Sequence, residues 1–296
     1  MLVNNGGTSG RSKAIMGTQS ATKNQVRILD VMTTWVMSIA GINFAVTVDD
    51  PVMDREARRL YSSFVTEAEP MFDVAICVRP DMAGRGPRPI RTLYDGVVFY
   101  VDSHNFSGKL DVSGGSAAFS IAPEREAFDA VLRVVISILL ATHDGLLLHA
   151  SSVSLGGNAF VFAARPEGGK STVARLLQDD KVIGDELVAV RRTSNAVTVY
   201  GTPFWNTGPE RSSPPAQVPV KAICLIEKAD STSATKLEPV EMAAKMMPHI
   251  FCDPKNRETN KATISALSGI TETIPGYELR FRLDAEDLRR CLDEID

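Results

Sequence analysis

Several signatures that narrow a sequence quickly are missing here. The 4 cysteines, Cys77, Cys224, Cys252 and Cys291, are scattered with no metal-like spacing between any two. That argues against a cysteine-built zinc site and reads as reduced thiols in a cytoplasmic protein. Charge of one sign is not in excess: the net charge is −4 and the pI ≈ 5.7, so there is no electrostatic case for nucleic acid as a partner. No apolar run approaches the ~20 residues of a spanning helix. The most hydrophobic passage, Val131 to Ala141, is short and carries Arg133, so it reads as a buried helix and no membrane is expected. The first 25 residues, rich in Gly, Ser, Thr and Asn, lack the apolar core of a signal peptide. They are expected to form a disordered leader, with Met16 an alternative start. No long internal repeat is apparent. What remains, 44% hydrophobic and 23% charged over 296 residues, is an ordinary globular balance with room for one large domain or two small ones.

What the sequence does have lies between Leu146 and Arg192. The apolar run Ala159-Phe160-Val161-Phe162-Ala163-Ala164 leads into Arg165-Pro166-Glu167-Gly168-Gly169-Lys170-Ser171-Thr172. Val173-Ala174-Arg175-Leu176-Leu177 follows, its apolar residues on one helical face. Strand, small-residue loop, Lys-Ser/Thr and helix form the layout of a phosphate-binding loop. In such a loop the amides and the helix start face the phosphates, the lysine reaches the terminal ones, and the hydroxyl can hold Mg²⁺. One residue departs from G-x-x-x-x-G-K-[ST], and two that fill its open positions are unusual for a phosphate cradle. Ala164 stands at the first glycine, Pro166 has no N–H to offer, and Glu167 brings a carboxylate toward the phosphates.

The flanks sharpen this. Leu146 to Val153 reads as a strand, Gly156-Gly157 as a tight turn, and Asn158 to Ala164 as the returning strand, so an antiparallel hairpin feeds the loop. Downstream, Val182-Ile183-Gly184-Asp185-Glu186-Leu187-Val188 is an apolar strand interrupted by two acids. Neighbouring residues on a strand face opposite ways, so Asp185 and Glu186 require a bend, a strand end or separate roles. An acid there can coordinate a metal or take a proton from an attacking hydroxyl.

A strand carrying His149-Ala150, a hairpin, a loop ending Gly169-Lys170-Ser171, and Gly184-Asp185-Glu186 on the next strand together resemble the HPr serine kinase family. A similar order occurs in phosphoenolpyruvate carboxykinases. The resemblance is good over roughly 128–190 and looser on either side. It implies ATP or GTP with Mg²⁺ as cofactors, held by a loop running from Ala164 through Arg165, Glu167, Gly168, Gly169, Lys170 and Ser171 to Thr172. It further implies Lys170 on the β/γ phosphates, Ser171, Glu186 and Asp185 near the metal, Asp185 as general base, and His149 beside the transferring phosphoryl group.

In chain order, Val26 to Val48 reads as strands broken at Gly41, with Val31 to Ala40 open to a helical reading. Asp50-Pro51 suggests a turn, Asp54 to Phe64 an amphipathic helix, and Phe72 to Val78 a strand. Short strands within 92–121 form a small β meander. Pro123 opens a helix through Ala141, and a domain boundary is expected near Ala122. After the central motif come strands at 196–200 and 220–227, a turn over 230–235, and a short strand at 236–238. Helices are expected over 239–247, 256–272 and 285–295, and an alternating strand over 277–283. Asp253 is a candidate helix cap, Trp205 a core anchor, Arg211 a candidate cation for a transferring phosphoryl group, and His249 a structural residue.

The expected fold is mixed α/β: a leader (1–25), a smaller α+β domain (26–121) and a nucleotide-binding domain (122–296) with a mixed sheet flanked by helices. The expected function is NTP-dependent phosphoryl transfer to a Ser/Thr hydroxyl of a protein or peptide. The alternative, favoured by Ala164, Pro166 and Glu167, is a nucleotide-binding scaffold or regulator without transfer. Homo-oligomerisation stays open.

Overall fold

A computed structural model describes residues 33–178, 180–194, 196–204, 216–252 and 257–295. The leader, Trp205, Arg211 and Asp253 lie outside the described residues. Thr34–Asp296 forms one compact unit, of mixed α/β architecture with two eight-stranded mixed sheets and few helices.

The first sheet is built from β1 (Thr34–Ile39), β2 (Ile42–Val48), β3 (Val65–Thr66), β4 (Phe72–Val78), β5 (Arg91–Tyr94), β6 (Phe99–Asp102), β7 (Phe106–Asp111) and β8 (Ser116–Ile121). Its order is β3-β1-β2-β4-β8-β7-β6-β5, with β4 parallel to both neighbours. The meander is therefore one end of a sheet as large as the second, because β4 inserts between β2 and β8. The helical option over 31–40 gives way to strand from Thr34: Trp35, Met37 and Ile39 alternate inward, and Ala40-Gly41, both at positive φ, make the tight turn to β2. Asp50-Pro51 starts a helix and not a turn. The Asp50 carboxylate accepts from Val52 N and Met53 N at 3.0 and 2.8 Å. Pro51 takes the first helical position of α1 (Pro51–Leu60), where no N–H is missed.

Between the sheets runs α2 (Arg125–Ala141). It is apolar on nearly all sides because it is covered on both: its Phe128, Val131, Leu132 and Leu139 share one core with Phe44 and Ile76 of the first sheet and Leu147, Leu187 and Ala189 of the second. Among the described residues no helix is long and apolar enough to cross a membrane.

The second sheet contains β9 (Gly145–Leu155), β10 (Asn158–Ala163), β11 (Lys181–Gly184), β12 (Leu187–Thr193), β13 (Ala196–Tyr200), β14 (Gln217–Lys228), β15 (Ser233–Leu237) and β16 (Gly276–Phe281). Its helices are α3 (Lys170–Leu176), α4 (Pro239–Met246), α5 (Arg257–Thr273) and α6 (Ala285–Asp293). β10 pairs with β9 on one side and, in parallel, with β14 on the other, so the pairings β10-β9-β12-β13-β14-β10 close a circuit. Alternation sorts the side chains. Leu148, Val161, Val188 and Ile223 pack with Met242 of α4 and Leu267 of α5. Phe160, Phe162, Cys224 and Leu279 pack with Val173 of α3 and Leu288 of α6. The turn expected over 230–235 is shorter, because β15 already pairs with β16 from Ser233.

Candidate functional site

The 164–169 loop leaves the carboxyl end of β10 and curls on itself. Gly168 N–H donates to Arg165 O at 2.9 Å, with Pro166 and Glu167 between them and Glu167 at φ 63. Proline followed by a positive φ is the pattern of a type II turn, whose third position ordinarily takes Gly or Asn. A glutamate there is strained, and the turn engages the Gly168 amide. Gly169 caps α3 at φ 109, where an added Cβ would lie 2.9 Å from Phe281 Cζ. Arg165, Pro166 and Glu167 are exposed, while Gly169 and Lys170 are buried.

Lys170 turns back under this loop. Its Nζ donates to Ala164 O at 3.0 Å and more distantly to Arg165 O at 3.5 Å. Burial holds its pKa below the usual lysine value, and the Glu186 carboxylate pulls the other way. On the helix, Ser171 is exposed and Thr172 half-buried.

The two acids sit where a bend separates β11 from β12, which resolves the strand-facing problem by breaking the expected single strand in two. Both strands pair with β9, β12 along Gly145–His149 and β11 along 152–154, and Glu186 O accepts from Ala150 N at 3.0 Å. The other edge of β9 holds β10, with Ala150 opposite Ala163. One strand therefore stands between the acid bend and the lysine loop. Ser151 reinforces the link, its Oγ donating to Lys170 O at 3.1 Å. His149 and Ser151, two residues apart, share a face of β9. Burial lowers the His149 pKa first and Lys170 next, while Glu186 opposes both. Asp185 Oδ1 is closed to solvent. Among the described residues no group of three or more His, Cys, Asp or Glu could hold a metal by itself.

Three residues that the sequence did not assign to the site complete the cluster. Arg133 of α2 reaches Glu186 Oε1 at 3.4 Å and Asp129 Oδ2 at 2.8 Å, and it lies 5.2 Å from the centre of the Phe204 ring. A charge set inside the apolar run Val131 to Ala141 was its signal. Ser151 could have been found by counting two from His149. His249 follows α4 in a short 3-10 turn, pinned to β9 by Phe251 N–H donating to Leu147 O at 2.8 Å. It lines the cleft beside the loop together with Arg165 and Gly168, and burial, then Lys170, His149 and Arg165, lower its pKa. Nothing in its local sequence marked it.

Beside the loop opens a cleft of about 630 Å³, lined by Arg165, Gly168, Lys228, His249 and Arg280 among others. It lies past the carboxyl ends of the parallel strands β10, β14 and β16, the position ligands favour in α/β sheets.

These features define a mixed α/β protein with a lysine-bearing loop facing an acidic bend across one strand. A family model described as SynChlorMet cassette protein ScmC matches residues 127–286, more than half of the chain, and the chain belongs to that family. No curated protein matches. Among solved structures, the chain is similar to the Hpr(Ser) kinase/phosphatase from Coxiella burnetii at 10% identity and a TM-score of 0.29, covering 49% of this chain and 91% of that one.

Proposed function

We infer that the protein binds ATP or GTP with Mg²⁺ at the 164–172 loop and transfers the terminal phosphoryl group to a Ser or Thr hydroxyl of a protein or peptide. The observation behind this reading is that β9, which carries His149, bonds to the Lys170 backbone through Ser151 and to the Glu186 backbone through Ala150, next to the cleft past the ends of the parallel strands. In the reaction the acceptor oxygen bonds to the γ-phosphorus, the bond to the β-phosphate oxygen breaks, and the hydroxyl proton passes to Asp185. Lys170 exchanges its contacts with the loop carbonyls for phosphate oxygens. His149, held neutral by burial and Lys170, donates a hydrogen bond to the transferring group. The Ser171 hydroxyl and the Asp185 and Glu186 carboxylates are hard oxygen donors of the kind Mg²⁺ takes together with substrate phosphates. The ion supplies charge neutralisation.

With labelled ATP, Mg²⁺ and candidate acceptor peptides, wild type transfers label and Asp185→Asn does not, although it still binds nucleotide. Lys170→Ala loses nucleotide binding itself. If Asp185→Asn transfers as well as wild type, the assignment of the base is wrong. A second reading has its own support: the Gly168 amide is engaged within the loop and Arg133 neutralises Glu186. Both favour a nucleotide-binding module without transfer. Binding by calorimetry with no turnover under any acceptor supports that module.

A further inference from the structure

Glu186 stands among three cationic or ionisable groups, Lys170, His149 and Arg133. The Arg133 pairs are unequal. Its Nε meets Asp129 at 2.8 Å, within the range of a charge-assisted hydrogen bond, whereas its Nη1 stands 3.4 Å from Glu186. Asp129 is fixed in turn, accepting from the buried Tyr61 hydroxyl at 2.9 Å, and the Phe204 ring lies under the guanidinium. The arginine is thus anchored on two sides that do not involve Glu186, so the carboxylate is the partner free to leave. Resting on the phosphate-binding reading above, we propose that Arg133 is a positioning residue that competes with the divalent cation for Glu186 and so sets how much metal the site requires.

A carboxylate on a flexible stem at a bend turns toward a doubly charged cation more readily than a guanidinium pinned to a helix can follow. Before the cation arrives, Arg133 keeps Glu186 aimed at the site and neutralised. Afterwards Arg133 stays on Asp129. The ion pair is partly exposed, its side chains 23% and 18% accessible, so its removal should change metal affinity modestly, by about two- to fivefold.

The test uses the full chain and Mn²⁺ as the probe, with free Mn²⁺ followed by electron paramagnetic resonance, with and without ATP. Arg133→Gln should lower the half-saturating Mn²⁺ concentration about two- to fivefold, and Arg133→Lys, which keeps the charge, by less. Asp129→Asn should raise it, since the guanidinium is no longer shared. A merely structural Arg133 gives the opposite sign, with weaker binding alongside a lower melting temperature. Unchanged or weaker Mn²⁺ binding in Arg133→Gln, while wild type binds Mn²⁺ and ATP together, overturns the competition and leaves the phosphate reading intact. If wild type takes up no ATP, that reading fails and this one with it. Should Arg133→Gln not fold, Asp129→Asn decides alone: no rise in the Mn²⁺ requirement overturns the proposal.

Discussion

Gly169→Ala tests whether the loop is held by backbone conformation and by its neighbours together. Gly169 lies at φ 109, well past the left-handed region that an L-residue tolerates at a cost of roughly 1–2 kcal/mol. The new methyl would also fall 2.9 Å from Phe281 Cζ and 3.3 Å from Lys228 Cε. The lysine tip can move aside, but the Phe281 ring is fully buried in the core beneath α3 and α6. Overpacking of that kind adds roughly 1–3 kcal/mol. The sum is about 2–5 kcal/mol, which for a unit of this size lowers the melting temperature by roughly 4–20 °C. Gly156 supplies the control. It sits at φ 56 in the hairpin turn with nothing within 4 Å of an added Cβ, so Gly156→Ala carries backbone strain alone, about 1 kcal/mol. Thermal and urea unfolding of both variants, compared with wild type, measure the difference. A Gly169→Ala loss no greater than that of Gly156→Ala would show that Phe281 does not crowd the loop.

Three further outcomes follow from the same contacts. Tyr61→Phe removes the hydrogen bond to Asp129 and should cost about 1–2 kcal/mol at pH 7. Burial first and Asp129 next push the Tyr61 pKa well above its ordinary value. Its contribution is therefore complete below about pH 10 and is lost as pH rises toward the folded value, so urea unfolding above pH 10 should decline less in the variant; parallel curves refute the assignment. His149 and His249 both have lowered pKa values, by burial first and Lys170 next, so their stabilising contribution is present above about pH 6.5 and is lost as pH falls through the depressed folded values. Stability measured at pH 7.5 and pH 5 should fall less in His249→Gln than in wild type, and an equal fall removes His249 from the coupled cluster. Burial raises the Cys224 thiol pKa and the residue is fully covered, so thiol labelling mapped by mass spectrometry should reach Cys224 only after unfolding; early labelling in the native state contradicts the packing of β14.

Elements fixed by local chemistry were readable before any coordinates. The β9–β10 hairpin announced itself through Gly156-Gly157 between two apolar runs, α2 through its Pro123 start and the apolar run that follows Arg133, and β16 through alternation that leaves Arg280 outside. Asp50-Pro51 suggests a turn yet caps a helix because both use the same two residues, and only the apolar spacing of Met53, Ala57 and Leu60 separates them. The pairings were out of reach. Nothing in Phe72–Val78 states that it lies between β2 and β8, because a strand's neighbours depend on which edges remain free after the whole sheet forms. The site divides along the same line. Lys170, His149 and the acid pair were visible because each sits in a recognisable local pattern, a glycine loop, a hairpin strand and an apolar run broken by two acids. Arg133 and His249 reach the cluster from 53 residues before Glu186 and from a turn after α4, so only tertiary packing joins them.

The position of β9 between the lysine loop and the acid bend has a mechanical consequence. The gap from one edge to the other amounts to two interstrand spacings of about 4.8 Å each, a length set by backbone hydrogen bonds that side-chain substitution barely alters. Surface loops and helices can change without resizing it. The vulnerable coordinate is instead the register of β9: one inserted residue would rotate His149 and Ser151 to the opposite face, dismantling the cluster while leaving every residue of the loop in place.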